Sequence, residues 1–122
     1  MKIRGVDYFF YNVSDIKKSL AFYRDVMGLE VTDEQEKWAE FDCGNLTLGI
    51  GVFGADPKAA KNGAAVALSV DNVEDVVAEL KGKKVKIVTE PMDFPDMCEM
   101  AIIADPDGNQ IILHHRKDGS VG

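Results

Sequence analysis

The sequence predicts an α+β fold made of two βαβββ modules. Three observations lead there. "FYNVSDIKKSLAFYRDVMGL" and "LSVDNVEDVVAELKGKKV" superimpose with matched apolar positions: Val13 over Val70, Ile16 over Val73, Leu20 over Val77 and Ala21 over Ala78. Each copy opens on a β-rich run and passes into helical spacing. Three short extended stretches then follow each helix, so a whole supersecondary unit is repeated rather than a helix alone.

The elements follow in chain order. Residues 3–13 are rich in β-branched and aromatic types and read as a strand. "SD" at 14–15 signals an N-cap, and Ile16, Leu20, Tyr23 and Met27 recur at helical spacing, which predicts a helix over 15–27 ended by Gly28. Extended stretches come next at about 29–33, 37–43 and 46–53, the last two parted by the turn "CGN". Residues 54–63, "GADPKAAKNG", read as a polar linker with room for one helical turn. "AAVALSV" (64–70) is the second opening strand. Asp71 with Glu74 approaches a capping box, and Val73, Val76, Val77 and Leu80 form the apolar face of a helix over 72–81 ended by Gly82. Strands at about 84–88, 97–104 and 110–115 complete the copy, with "DPDGN" as the turn between the last two. The chain is therefore expected to be a single domain over 1–122, with modules at about 1–53 and 64–115. Its strands should form a curved eight-stranded mixed sheet with a concave cleft.

Composition narrows the function classes. The 122 residues are 46% hydrophobic and 29% charged, which suits an ordinary domain with a core. The net charge of −7, from 14 basic and 21 acidic residues, argues against a nucleic-acid partner, because phosphate binding needs clustered Lys and Arg. "KGKKVK" reads as a solvated helix end. No run approaches the roughly 20 apolar residues of a membrane span, and "MKIRGVDYFF" lacks the pattern of a secretory signal. No membrane partner and a cytoplasmic location are expected. Cys43 and Cys98 form neither a C-x-x-C pair nor a disulfide framework.

Strand alternation assigns faces. Tyr8, Phe10 and Asn12 oppose Phe9, Tyr11 and Val13, while Ala65, Ala67 and Ser69 oppose Val66, Leu68 and Val70. The Val/Leu set suits packing under a helix, which leaves the other set to line the open face of the sheet. In "KWAEFDCG", Phe41 is assigned to the helix-covered core and Trp38, Glu40 and Asp42 to the cleft, with the reverse assignment of Trp38 left open. "PMDFPDMCEM" (91–100) reads as a rim loop entering a strand, with Met97 or Met100 as apolar walls. His114 shares a face with Ile112 and should look into the cleft, and His115 should look away.

"GVDYFFYNVSDIKKSLAFYRDVMGLEV" together with "DPDGNQIIL" resembles the glyoxalase / bleomycin-resistance / extradiol-dioxygenase group, the vicinal-oxygen-chelate superfamily, over nearly the whole chain. The resemblance implies paired βαβββ modules and usually two chains per assembly. It also implies, for the enzymes of the group, one divalent metal held from four strand positions. Those positions fall here on Tyr8, Ala65, Ile112 and Gly49, or Leu48 if the turn alignment slips by one. Alanine, isoleucine, glycine and leucine have no donor atom, and a neutral tyrosine hydroxyl is a poor ligand. No metal and no other cofactor is therefore expected. A displaced site would need His114 with a carboxylate such as Glu40 or Glu99.

The expected function is metal-free binding of a small molecule, in the manner of a bleomycin-resistance protein. An aromatic or amphipathic organic ligand would lie against Tyr8, Phe10 and Trp38, beside Ala65 and Ile112, with Asn12, Ser69 and His114 as polar points. One alternative is a glyoxalase- or dioxygenase-type enzyme (a lyase or oxidoreductase) with a rearranged metal site, for which His114 and Glu40 are the acid or base candidates. Another is a domain kept for protein interaction or regulation. The expected partners are the small organic ligand and a second copy of the chain in a homodimer.

Overall fold

The computed structural model describes residues 1–52 and 64–122. The linker expected at 54–63 and residue 53 of the preceding stretch lie outside the described residues. The fold class is α+β, with eight strands in mixed pairing and two helical segments among the described residues. The chain divides into two compact units, Tyr8–Ala64 and Met1–Asp7 with Ala65–Gly122.

In the first unit, β2 (Glu30–Glu34), β3 (Trp38–Asp42) and β4 (Thr47–Gly51) run antiparallel in turn. β4 then pairs in parallel with β1 (Gly5–Asn12), setting Phe9 opposite Leu48 and Phe10 opposite Gly49. Ala39, Phe41, Leu48 and Ile50 form the buried core, covered by Val13, Ile16, Leu20 and Tyr23. The assignment of Phe41 to the helix side therefore holds. Phe9 and Tyr11 correct the alternation reading. Register places them on the face of Leu48 and Ile50, yet they stay 40% and 39% exposed and pack edge-to-face on each other at 5.6 Å.

Asp15 caps the first helix, its side chain accepting from the Lys18 N–H at 3.2 Å. α1 (Ile16–Ala21) then widens into a π-helical turn, Phe22–Val26, in which the Met27 N–H reaches back to the Phe22 carbonyl at 3.0 Å. The wider turn rotates every later residue away from α-helical phase. Met27, expected on the buried face, is consequently 57% exposed, with Phe22 and Val26 beside it. Gly28 ends the helix at φ +74°, a left-handed conformation that side chains disfavour.

In the second unit the strand order is β5 (Ala64–Ser69), β8 (Gln110–Arg116), β7 (Cys98–Ala104) and β6 (Lys86–Phe94), parallel for the first pair and antiparallel thereafter. α2 (Val73–Gly82) begins and ends one residue later than expected. Asn72 rather than Asp71 is its cap, accepting from the Asp75 N–H at 3.0 Å, and Gly82 is still helical. Val73, Val76, Val77 and Leu80 bury their side chains against Ala101, Ile103 and Leu113. Each such Val or Leu is worth about 1.5–3 kcal/mol of apolar burial. β6 also runs further than expected, to Phe94. Its pairing with β7 slips on either side of Thr89, before Pro91, which has no N–H to give the ladder. No helix among the described residues is long and apolar enough to cross a membrane.

The β7–β8 turn is fastened by Asp105. Its carboxylate accepts from the Asn109 side chain at 2.8 Å and from the backbone N–H groups of Asn109 and Asp107 at 2.8 and 2.9 Å. These donors, the Asn109 side chain foremost, hold the carboxyl below its ordinary value of 3.8. A carboxyl depressed in the folded state stabilises it above the unfolded value and stops doing so as pH falls through the folded one. Asn109→Ala should therefore move the Asp105 carboxyl titration upward, toward pH 4, as read by carbon-detected NMR. An unmoved midpoint would refute this account of the turn.

Candidate functional site

The second unit carries a buried polar cluster. Leu113 points into the α2 core, so alternation sends its β8 neighbours Ile112 and His114 to the other face of the strand. Parallel pairing with β5 sets Ala67 beside Ile112 and Ser69 beside His114 on that face. Asp7 and Ser69 are fully buried, and His114 is 5% exposed. The His114 Nδ1 lies 2.5 Å from Asp7 Oδ2. An ionised carboxylate can only accept, so Nδ1 is the donor of this contact and Nε2 is the ring nitrogen on the far side from Asp7.

The other carboxylate oxygen of Asp7 receives Arg116 Nη1 at 3.3 Å and the Gly122 N–H at 3.2 Å. Arg116 also donates to the Asp7 carbonyl at 3.3 Å and the Gly122 carbonyl at 3.1 Å. His115 turns away, as expected, and its Nδ1–H donates to the Val70 carbonyl at 3.0 Å.

The first unit carries an aromatic cluster. Trp38 stacks on Phe10 at 5.6 Å and 12°, and meets Tyr8 edge-on at 5.8 Å. Its indole N–H donates to Glu40 Oε1 at 3.0 Å, so the candidate acid or base Glu40 is engaged by its own strand neighbour. Gly49 makes the stack possible, because a Cβ there would lie 3.0 Å from Trp38 Cζ2 and Cη2. Trp38 thus takes the side of Tyr8 and Phe10, as chosen from alternation. Asn12 closes β1 beyond Phe10, half-buried. In the second unit, Ala65 and Ile112 are buried among the small and apolar residues of β5 and β8.

Sequence reasoning singled out His114 and missed both Asp7 and Arg116. Asp7 lies in an apolar run, 107 residues before its partner, and only its charge inside "GVDYFF" hinted at a role. With Asn in its place, one amide oxygen replaces the buried carboxylate and an amide NH2 faces one of the donors that it held. Asp7→Asn should cost about 3 kcal/mol, the range for breaking a buried pair. Urea unfolding checks it, and a loss under about 0.5 kcal/mol would contradict the assignment.

The chain matches the family model "Glyoxalase/Bleomycin resistance protein/Dioxygenase superfamily" over residues 5–113. It is 30% identical over 117 residues to the metallothiol transferase FosB of Staphylococcus haemolyticus, covering 92% of this chain and 84% of that protein. FosB of Staphylococcus epidermidis matches to the same extent. Among solved structures, methylmalonyl-CoA epimerase of Streptomyces coelicolor, in complex with 2-nitronate-propionyl-CoA, superimposes with a TM-score of 0.75. The identity is 19%, over 99% of this chain and all of that one. The Mn(II)-bound glyoxalase of Novosphingobium aromaticivorans gives 0.66 at 22% identity, over 99% of this chain and 41% of that one.

These findings correct two expectations. Relatives named as transferases overturn the reading as a metal-free binding protein in favour of an enzyme. The metallothiol transferases and the Mn(II) glyoxalase likewise overturn the expectation of no cofactor, since metal dependence belongs to this group. The described residues do not by themselves supply the donor set of such a metal. Among the described residues no three His, Cys, Asp or Glu side chains are grouped to hold an ion, and Ala65, Ile112 and Gly49 offer no side-chain donor. By sequence and by fold, the chain belongs to the glyoxalase/bleomycin resistance protein/dioxygenase superfamily.

Proposed function

We propose that the chain is an enzyme that joins a thiol to a small organic acceptor, with His114 as the base that takes the thiol proton. The His114–Asp7 contact carries the reading. A free thiol ionises only near pH 8.5, and the thiolate is the nucleophile, so the reaction needs a base. The buried carboxylate of Asp7 fixes the ring orientation and its tautomer, which presents Nε2 as the proton acceptor. Arg116 and the Gly122 N–H occupy the second oxygen of Asp7 and keep it in place. The thiol proton passes to Nε2, a sulfur–carbon bond forms as a carbon–oxygen bond (single or π) of the acceptor breaks, and the proton returns to the oxygen that keeps that electron pair. The relatives named metallothiol transferase support this class of reaction at 30% identity.

The rings of Tyr8, Phe10 and Trp38, with Asn12 beside them, are proposed as a contact surface for a planar organic group, and Ala65 and Ile112 as small apolar contacts. The stacked geometry of Trp38 on Phe10 supports this. A homodimer belongs to the same proposal, supported by the exposed Phe22, Val26 and Met27 of the π-helical turn. A cytoplasmic location is supported by the exposed free thiol of Cys43, which suits a reducing compartment.

Loss of free thiol from cysteine or glutathione, assayed against a panel of small electrophiles, tests the activity. His114→Gln should lower the rate about 100-fold or more, and full activity in that variant would remove His114 from the base role. Trp38→Ala should weaken the acceptor found in this assay by about 2 kcal/mol in calorimetry, and unchanged affinity would exclude the ring surface. Sedimentation should give a dimer for the native chain and a monomer for Val26→Asp. A native monomer would exclude the homodimer.

A further inference from the structure

Ser69 is the buried polar group that the proposed reaction leaves unused. Its residue is fully buried, and among the described residues its Oγ has no hydrogen-bond partner. Buried hydroxyls without a partner are uncommon, because each forgoes the hydrogen bonds that water would give it. The position is also specific. β5 and β8 pair in parallel with Ser69 opposite His114, so the two side chains emerge next to each other on the face away from the α2 core. Ala67 and Ile112, the preceding pair on that face, contribute no competing polar atom.

We propose that Ser69 is a substrate-binding residue whose hydroxyl donates to an oxygen of the molecule on which His114 acts. This rests on the reading of His114 as a base and deepens it, since it assigns the substrate an oxygen atom within reach of the reacting centre. A serine hydroxyl donates one hydrogen and accepts through two lone pairs, so carbonyl, carboxylate and alcohol oxygens share the needed chemistry. Where the reaction builds negative charge on that oxygen, the same donor strengthens as the charge develops.

Three small probes separate the oxygen types: acetone, acetate and ethanol. The chain has only two histidines, so imidazole NMR signals are assigned with His115→Gln. At least one probe should shift the His114 signals saturably in the native chain and equally well in His115→Gln. Ser69→Ala should weaken that probe fivefold or more, while its melting temperature stays the same or rises, because the hydroxyl removed has no partner among the described residues. Equal affinity in Ser69→Ala would overturn the proposal, as would the absence of a saturable shift with all three probes. A clear fall in melting temperature would also overturn it, by showing that the hydroxyl is held within the protein. Thiol transfer in His114→Gln separates the two readings. If transfer is lost there while Ser69→Ala binds the probe as well as native, Ser69 alone is wrongly assigned. If transfer survives in His114→Gln, the base reading has failed instead.

Discussion

The carboxylate of Asp7 is the constraint around which the second unit is arranged. An isolated carboxylate costs several kcal/mol to bury, so a fully buried one persists only where donors converge on it. Three donors do so: the His114 ring, the Arg116 guanidinium and the Gly122 N–H. Two of them come from alternate positions of β8, which must therefore present that edge of the strand toward Asp7. The third fixes the segment after β8, where Arg4 also donates to the Gly119 carbonyl at 2.7 Å. One charge thus ties the opening residues of the chain to its last strand and fixes the tautomer of the imidazole. The proposed chemistry draws on the same group.

A second dependence runs through the first unit, between a large residue and a small one. Trp38 can lie flat on Phe10 because Gly49, which faces Glu40 across β3 and β4 and lies under the indole, has no side chain to hold it off. The indole N–H would be a cost in that position, and Glu40, two residues on and on the same face, accepts it. The tryptophan, its acceptor and the glycine beneath it form one packed group. Glu40 is placed to satisfy an indole, which is why it does not stand out as an acid or base.

The fold was legible because its signals are local. The repeated apolar spacing, the cap at Asp15 and the left-handed Gly28 all act within a few residues, so both modules could be written down in order, with the second cap placed one residue early at Asp71. Alternation also chose the side of Trp38 correctly. The misses arose where phase changed. One π-helical turn carried Met27 out of the buried face, and the slipped pairing at Thr89 turned an expected loop into a longer β6. The site was less legible, because its geometry depends on partners far apart in the chain. His114 could be named from alternation, but Asp7 had no sequence neighbour to give it meaning. Ser69 could be placed on the face but not recognised as lacking a partner.

The two faces of β8 explain how such a chain keeps its family's fold while departing from its usual donors. Stability is drawn mainly from the side that Leu113 shares with α2, where apolar volume must be conserved. Ile112, His114 and Arg116 emerge on the opposite side, where a substitution alters chemistry without emptying the core. Ala65 and Ile112 stand at positions where the resemblance implies metal donors. Among the described residues of this face, His114 with its buried partner Asp7, the Arg116 guanidinium and the hydroxyl of Ser69 are the groups able to move a proton or hold a substrate oxygen. In the proposed reaction, the substrate's transferable proton goes to Nε2 of the one imidazole on this face.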